Sequence, residues 1–199
     1  SVFANKGFLS EYRRGKQIAS LDLRKCNSLK GSHNHQNACA AYAAVRALGI
    51  GPSSVEKALK SFTGLEHRSQ LVTKISGVAF INDSKATNVD SAMKALETFS
   101  KIRWICGGEQ KEEDISRLNN ALNNVEKAYV IGTNAAKFSS QISCKFEICN
   151  NMDIAVKNAF NDAKDGETVL LAPAAASFDQ YSSFEERGRA FESEIKKLI

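Results

Sequence analysis

Residues 77–88 read GVAFINDSKATN. The run up to Ile81 is apolar or small, as a strand buried on both faces should be. It ends abruptly, and Asp83, Ser84 and Lys85 follow where the strand must leave the interior. The same grammar recurs downstream in IRWICGG (102–108), KAYVIG (127–132), KFEIC (145–149) and TVLLAP (168–173). Between these runs lie helix-period segments, NVDSAMKALETF (88–99), EDISRLNNALNN (113–124), AAKFSSQI (135–142) and MDIAVKNAFNDAK (152–164), and SFEERGRAFESEIKKL (183–198) closes the chain. Strands alternating with helices require right-handed crossovers, so the expected fold is α/β: a Rossmann-like, mainly parallel sheet flanked by helices.

Parallel sheets of this kind bind ligands beyond the carboxyl ends of their strands. The groups expected there are Asp83-Ser84-Lys85, Gly107-Gly108 with Lys111, Gly132-Thr133-Asn134, and Pro173 to Ser177. Each has an ordinary alternative. Asp83 could cap the next helix, although Thr87 or Asn88 could do so instead, and Lys85 or Lys111 could simply point into water. The small residues of APAAAS (172–177) are expected to leave backbone amides open to an anion ahead of a helix starting near Ser182, or to be small for packing.

The first 64 residues have another character. Strand-like SVFAN, GFLSEYR and QIASLDL precede a small-residue helix in NHQNACAAYAAVRALG and a second helix in SVEKALKSF, with Ser53 or Ser54 as its cap. This piece is expected to be too small to bury its own core, the tail of a domain that begins upstream. Ser1 in first position agrees with that reading.

Composition narrows the function classes. The net charge of +5 comes wholly from residues 1–30, with seven Lys/Arg against two Asp/Glu, so a nucleic-acid partner is not expected. No apolar run approaches the roughly 18 residues of a membrane helix, and no membrane partner is expected. Five cysteines without a C-x-x-C pair read as free thiols of a cytoplasmic protein. His33 and His35, two apart, would face different sides of a helix, and no metal site is assigned. Neither G-x-G-x-x-G nor G-x-x-x-x-G-K-[ST] occurs.

Taken together, GSHNHQNACAA (31–41), FTGLEHR (62–68), INDSKATN (81–88), GGEQK (107–111) and APAAASFDQYSSFEERGRAF (172–191) resemble, in this order, the Mur ligase family. INDSKATN and the SFDQY…FEERG run are similar to its D-glutamate-adding members. The resemblance implies that 1–64 is the C-terminal part of a truncated central ATPase domain and 65–199 the Rossmann-like C-terminal domain. It implies ATP-driven addition of D-glutamate to UDP-N-acetylmuramoyl-L-alanine through an acyl phosphate, in peptidoglycan synthesis. The P-loop and Mg2+ ligands would lie in absent sequence, and the chain alone would be an inactive, monomeric piece. By motif, Asn34, Asn37, His67, Arg68 and Asp83 resemble nucleotide-facing residues, with Arg68 near phosphate and Asp83 near ribose. Lys85, with His67, resembles the group beside the reacting atoms. Thr87, Lys111, Ser177, Phe178 and Phe184 resemble the D-glutamate pocket, with Lys111 pairing a carboxylate and Phe178 acting through its backbone. The alternatives are another Mur or folylpolyglutamate-type ligase, or a non-catalytic nucleotide- or amino-acid-binding module.

Overall fold

Turn chemistry separates the elements. Ser76 and Gly77 both adopt positive φ (49° and 78°), the geometry that folds two strands back through a two-residue turn. They join β4 (Gln70–Ile75) to β5 (Val78–Asn82) as an antiparallel hairpin with Ile75 opposite Val78. Four further strands follow, β6 (Ile102–Gly107), β7 (Val125–Ile131), β8 (Phe146–Asn150) and β9 (Thr168–Leu171). The computed structural model describes residues 1–26 and 28–199 and divides the chain into two compact units, Ser1–Gly64 and Leu65–Ile199.

In the second unit the strands lie in the order β4-β5-β9-β6-β7-β8. All neighbours are parallel except the β4–β5 pair. The last strand, β9, inserts between β5 and β6, and all four of its residues are buried. Its loop therefore leaves the sheet between the turns that follow β5 and β6.

Alternation along the strands supplies two cores. Trp104, Cys106, Ala128, Val130 and Leu170 face one side, packed with α3 (Val89–Thr98) and α4 (Ala135–Ser139). Ile105, Tyr129, Ile131, Val169 and Leu171 face the other, against α5 (Met152–Asp162) and α6 (Phe184–Lys196). Trp104 is fully buried and donates its indole N–H to the Ala172 carbonyl at 2.8 Å. Asn88 caps α3 by accepting from Ser91 N–H at 2.8 Å, so the helix-cap role does not fall to Asp83. Residues 113–124 depart from expectation: a 3-10 helix spans Ser116–Asn124, and Asn119 and Asn124 bond to backbone carbonyls outside it. Both acceptors are remote in sequence, so these tertiary bonds add to the weak intrinsic helix preference of the four asparagines in the segment.

In the first unit, β1 (Val2–Asn5), β2 (Phe8–Arg13) and β3 (Lys16–Asp22) form an antiparallel sheet beside α1 (Ser32–Ala47). Contrary to expectation it holds a small core of its own, with Leu9, Leu21, Leu23, Ala38, Tyr42 and Val55 among its buried residues. Buried Glu11 is satisfied by Tyr42 Oη at 2.7 Å and Arg46 Nε at 2.9 Å, and Arg46 holds its carboxyl below the usual range. The second helix, α2 (Pro52–Ser61), starts from Gly51 with Pro52 in its first turn. Proline is preorganised for that position and needs no N–H there, which displaces Ser53 and Ser54 from the cap.

Candidate active-site edge

The turn after β5 is held from three directions. Asp83 N–H donates to the Leu171 carbonyl at 2.8 Å, Lys85 N–H to His67 O at 3.1 Å, and Ala86 N–H to Asp83 O at 2.9 Å. The Asp83 carboxylate accepts from Ser69 Oγ at 3.1 Å. Burial pushes this carboxyl up to about 6, against the Ser69 hydrogen bonds and the charge of Arg68, which pull it down. Asp83 is thus neutral at acid pH, and its ionisation opposes folding as pH rises from about 4 through 6. Asp83→Asn should match the parent near pH 4 and exceed it at pH 8 by on the order of 2 kcal/mol in urea unfolding. Equal stability at both pH values would refute this.

Lys85 and His67 meet on one ring. The Lys85 ammonium lies 4.0 Å from the centroid of Phe184, and His67 packs edge-on to the same ring at 6.3 Å. A cation over an aromatic face is attracted by the ring's quadrupole. His67 is buried at positive φ (61°), and its N–H donates to Gln70 Oε1 at 2.7 Å. Its Nδ1 lies 2.9 Å from Asn82 Nδ2, which also donates to Gly188 O at 3.1 Å and Glu192 Oε1 at 2.9 Å.

Residues 172–177 are packed rather than open. All are buried, and the amides of Ala172, Ala174 and Ala176 donate to Ile105, Ala86 and Glu109 carbonyls. The expected set of open amides is therefore corrected at these three positions: with β9 central, the loop has a neighbour on each side and its N–H groups pair there. Small side chains are needed because backbones meet. Gly107 and Gly108 are at φ 101° and 128°, and a Cβ at Gly108 would strike the Ala176 carbonyl.

Structure thus gathers Asp83, Lys85, Thr87, His67, Phe184 and Ser177 on turns at the carboxyl end of the sheet and the start of α6. Ser177 is buried, whereas Phe178 is 67% exposed. Lys111 and Arg68 are exposed side chains. Asn34 and Asn37 lie on α1 of the first unit, three residues apart and so on adjacent positions of one helix face; Asn34 donates to Lys30 O at 2.7 Å. Sequence reasoning assigned no role to Asn82, Ser69, Asp179 or Arg187, and placed Ser84 at the ligand edge without giving it a role of its own. Asp179 accepts from Thr133 N–H at 2.9 Å, tying the loop after β9 to the end of β7. The only signal for Asn82, Ser84, Asp179 and Arg187 was their place inside the motif strings, and Ser69 lies just outside FTGLEHR. Among the described residues no group of three or more His, Cys, Asp or Glu side chains could hold a metal ion, and no helix is long and apolar enough to cross a membrane.

Two relatives are each 59% identical over 198 residues, covering 100% of this chain: the UDP-N-acetylmuramoylalanine–D-glutamate ligases of Ruegeria pomeroyi and Roseobacter denitrificans. The chain spans only 42% and 43% of their lengths. In fold it is similar to the MurF ligase from Thermotoga maritima in complex with ADP, with a TM-score of 0.68, 17% identity, and coverage of 100% of this chain and 46% of that one. Residues 67–175, more than half of the chain, match the Mur ligase glutamate ligase domain. They run from His67 through the turns after β5, β6 and β7 into the loop after β9, and on this match the chain belongs to the Mur ligase family.

Proposed function

We propose that the chain is the C-terminal part of an ATP-dependent ligase that joins D-glutamate to UDP-N-acetylmuramoyl-L-alanine in the cytoplasm, acting as a monomer in peptidoglycan synthesis. In this reading residues 65–199 are the amino-acid-binding domain and 1–64 the end of the central ATPase domain. The observation that carries it is the meeting of INDSKATN with the Ser177–Phe184 loop at one sheet edge, in a chain 59% identical to relatives bearing that name.

ATP, as co-substrate, phosphorylates the L-alanine carboxylate, and the D-glutamate amine displaces phosphate from the acyl phosphate. This chemistry needs positioning and charge neutralisation more than covalent help from the protein. Asp83, when ionised, offers acceptors to ribose hydroxyls, with His67 also on the nucleotide side; Asn34 and Asn37 of the first unit carry a nucleotide-facing role by motif resemblance alone. Arg68 and Lys85 supply positive charge for phosphate and carboxylate. Thr87 and Ser177 present hydroxyls, Phe178 its backbone, Phe184 an apolar wall, and Lys111 an ammonium for a D-glutamate carboxylate. Among the described residues no group of three or more His, Cys, Asp or Glu side chains forms a Mg2+ site, and no step here runs through the metal.

The test uses the full-length protein with ATP, magnesium and UDP-N-acetylmuramoyl-L-alanine. Phosphate release should require D-glutamate and stay at background with L-glutamate, L-lysine or diaminopimelate. Equal turnover with another amino acid overturns the assignment.

A further inference from the structure

Arg187, on the first turn of α6, is 1% exposed. Its Nε donates to Ser84 Oγ at 3.1 Å and Nη2 to Ser84 O at 3.0 Å. Its Nη1 donates to the carbonyls of Ala175 at 3.1 Å and Ala176 at 3.0 Å. Ser84 Oγ in turn donates to Phe184 O at 2.7 Å. None of these acceptors is a carboxylate. Burial pushes the guanidinium down to about 10, with Asp179 and Tyr181 offsetting it in part.

The guanidinium supplies donors to the carbonyls of Ser84, Ala175 and Ala176, so its loss leaves buried acceptors short of a partner as well as removing a link. What the planar fork supplies is geometry, fixed donors reaching two segments at once. Those segments are the turn after β5, which carries Lys85 and Thr87, and the loop after β9, which carries Ser177 and Phe178. One backbone bond, Ala174 N–H to Ala86 O at 2.9 Å, also links them directly. Asp83 has separate anchors in Leu171 O and Ser69 Oγ.

We propose that Arg187 is a positioning residue for the amino-acid substrate, holding these two segments at the separation that lets one ligand touch Thr87 and Ser177 together. The proposal rests on the amino-acid-binding role given to those residues above. Because Asp83 is anchored independently, loss of Arg187 should weaken amino-acid binding and leave nucleotide binding nearly intact.

In the full-length ligase, Arg187→Met should raise KM for D-glutamate about tenfold or more while KM for ATP stays within about twofold. Arg187→Lys, which keeps charge but loses the fork, should fall between the two. Equal rises in both KM values, or a fall in kcat with both unchanged, overturn the proposal. Should Arg187→Met fail to fold, Ser84→Ala removes the hydroxyl that accepts from Arg187 Nε and donates to Phe184 O, and leaves the guanidinium its three backbone carbonyls. It should raise KM for D-glutamate about threefold at unchanged KM for ATP, and an unchanged D-glutamate value overturns the proposal. If the parent releases no phosphate with D-glutamate, the functional reading fails and hydrogen exchange in the Arg187→Lys chain decides the positioning role. Faster exchange at Lys85, Ala86 and Thr87 together with Ala174 and Ala176, at an unchanged Asp83 amide, supports it; a change in only one segment overturns it.

Discussion

Gly132→Ala should cost about 4 kcal/mol in urea unfolding, whereas Gly166→Ala should cost about 1 kcal/mol. Both glycines sit at similar positive φ, 90° and 81°, so the backbone penalty of a side chain is nearly common to them. Their surroundings differ. A Cβ at Gly166 meets nothing within 4 Å, while one at Gly132 would lie 2.6 Å from Gly108 Cα, 2.8 Å from Gly108 N and 2.5 Å from Asp179 Oδ2. Relieving that overlap means moving apart the ends of β6 and β7, which the parallel ladder opposes, or expelling Asp179 from the Thr133 amide. Comparable losses at the two positions would show that the edge yields and that tight backbone contact is not what holds it.

Lys111→Ala in the full-length ligase should raise KM for D-glutamate by about 10- to 100-fold, with KM for ATP nearly unchanged. The estimate follows from a charge-assisted hydrogen bond worth about 1.5–3 kcal/mol. Lys111 follows Gly107-Gly108, whose positive φ values (101° and 128°) turn the chain out of the sheet at the end of β6, and its side chain is exposed. An exposed ammonium whose task is to meet a carboxylate loses binding when removed and little fold stability. Steady-state kinetics with each substrate varied in turn checks this; equal effects on both KM values would remove Lys111 from the amino-acid pocket.

Much of the second unit was legible residue by residue. VAFI, WIC and VLLA are apolar without alternation because their strands are covered on both faces, and helix period marked α3, α5 and α6. Strand β4 was not, since its half-exposed residues and Ser-Gly turn give weak local signals. Asp83 and Lys85 were legible as candidates because charged groups interrupt a buried run, whereas Thr87 joined them only through the family resemblance. Arg187 was not, since an arginine in FEERGR reads as one charge on a helix surface. Its burial depends on β5 and β9 being neighbours, which no local pattern records.

The sequence by itself determined the α/β class and the parallel strands, because hydrophobic period acts over a few residues, and its motif strings carried the likeness to the Mur ligases and named the candidate turns. Only the tertiary structure decided that the last strand enters between β5 and β6. Strand order is set by how crossover helices pack on the two faces, over separations that periodicity does not span. That placement closed the amides of Ala172, Ala174 and Ala176 to outside ligands, set Lys85 over Phe184, and turned a surface-looking arginine into the clamp behind both turns.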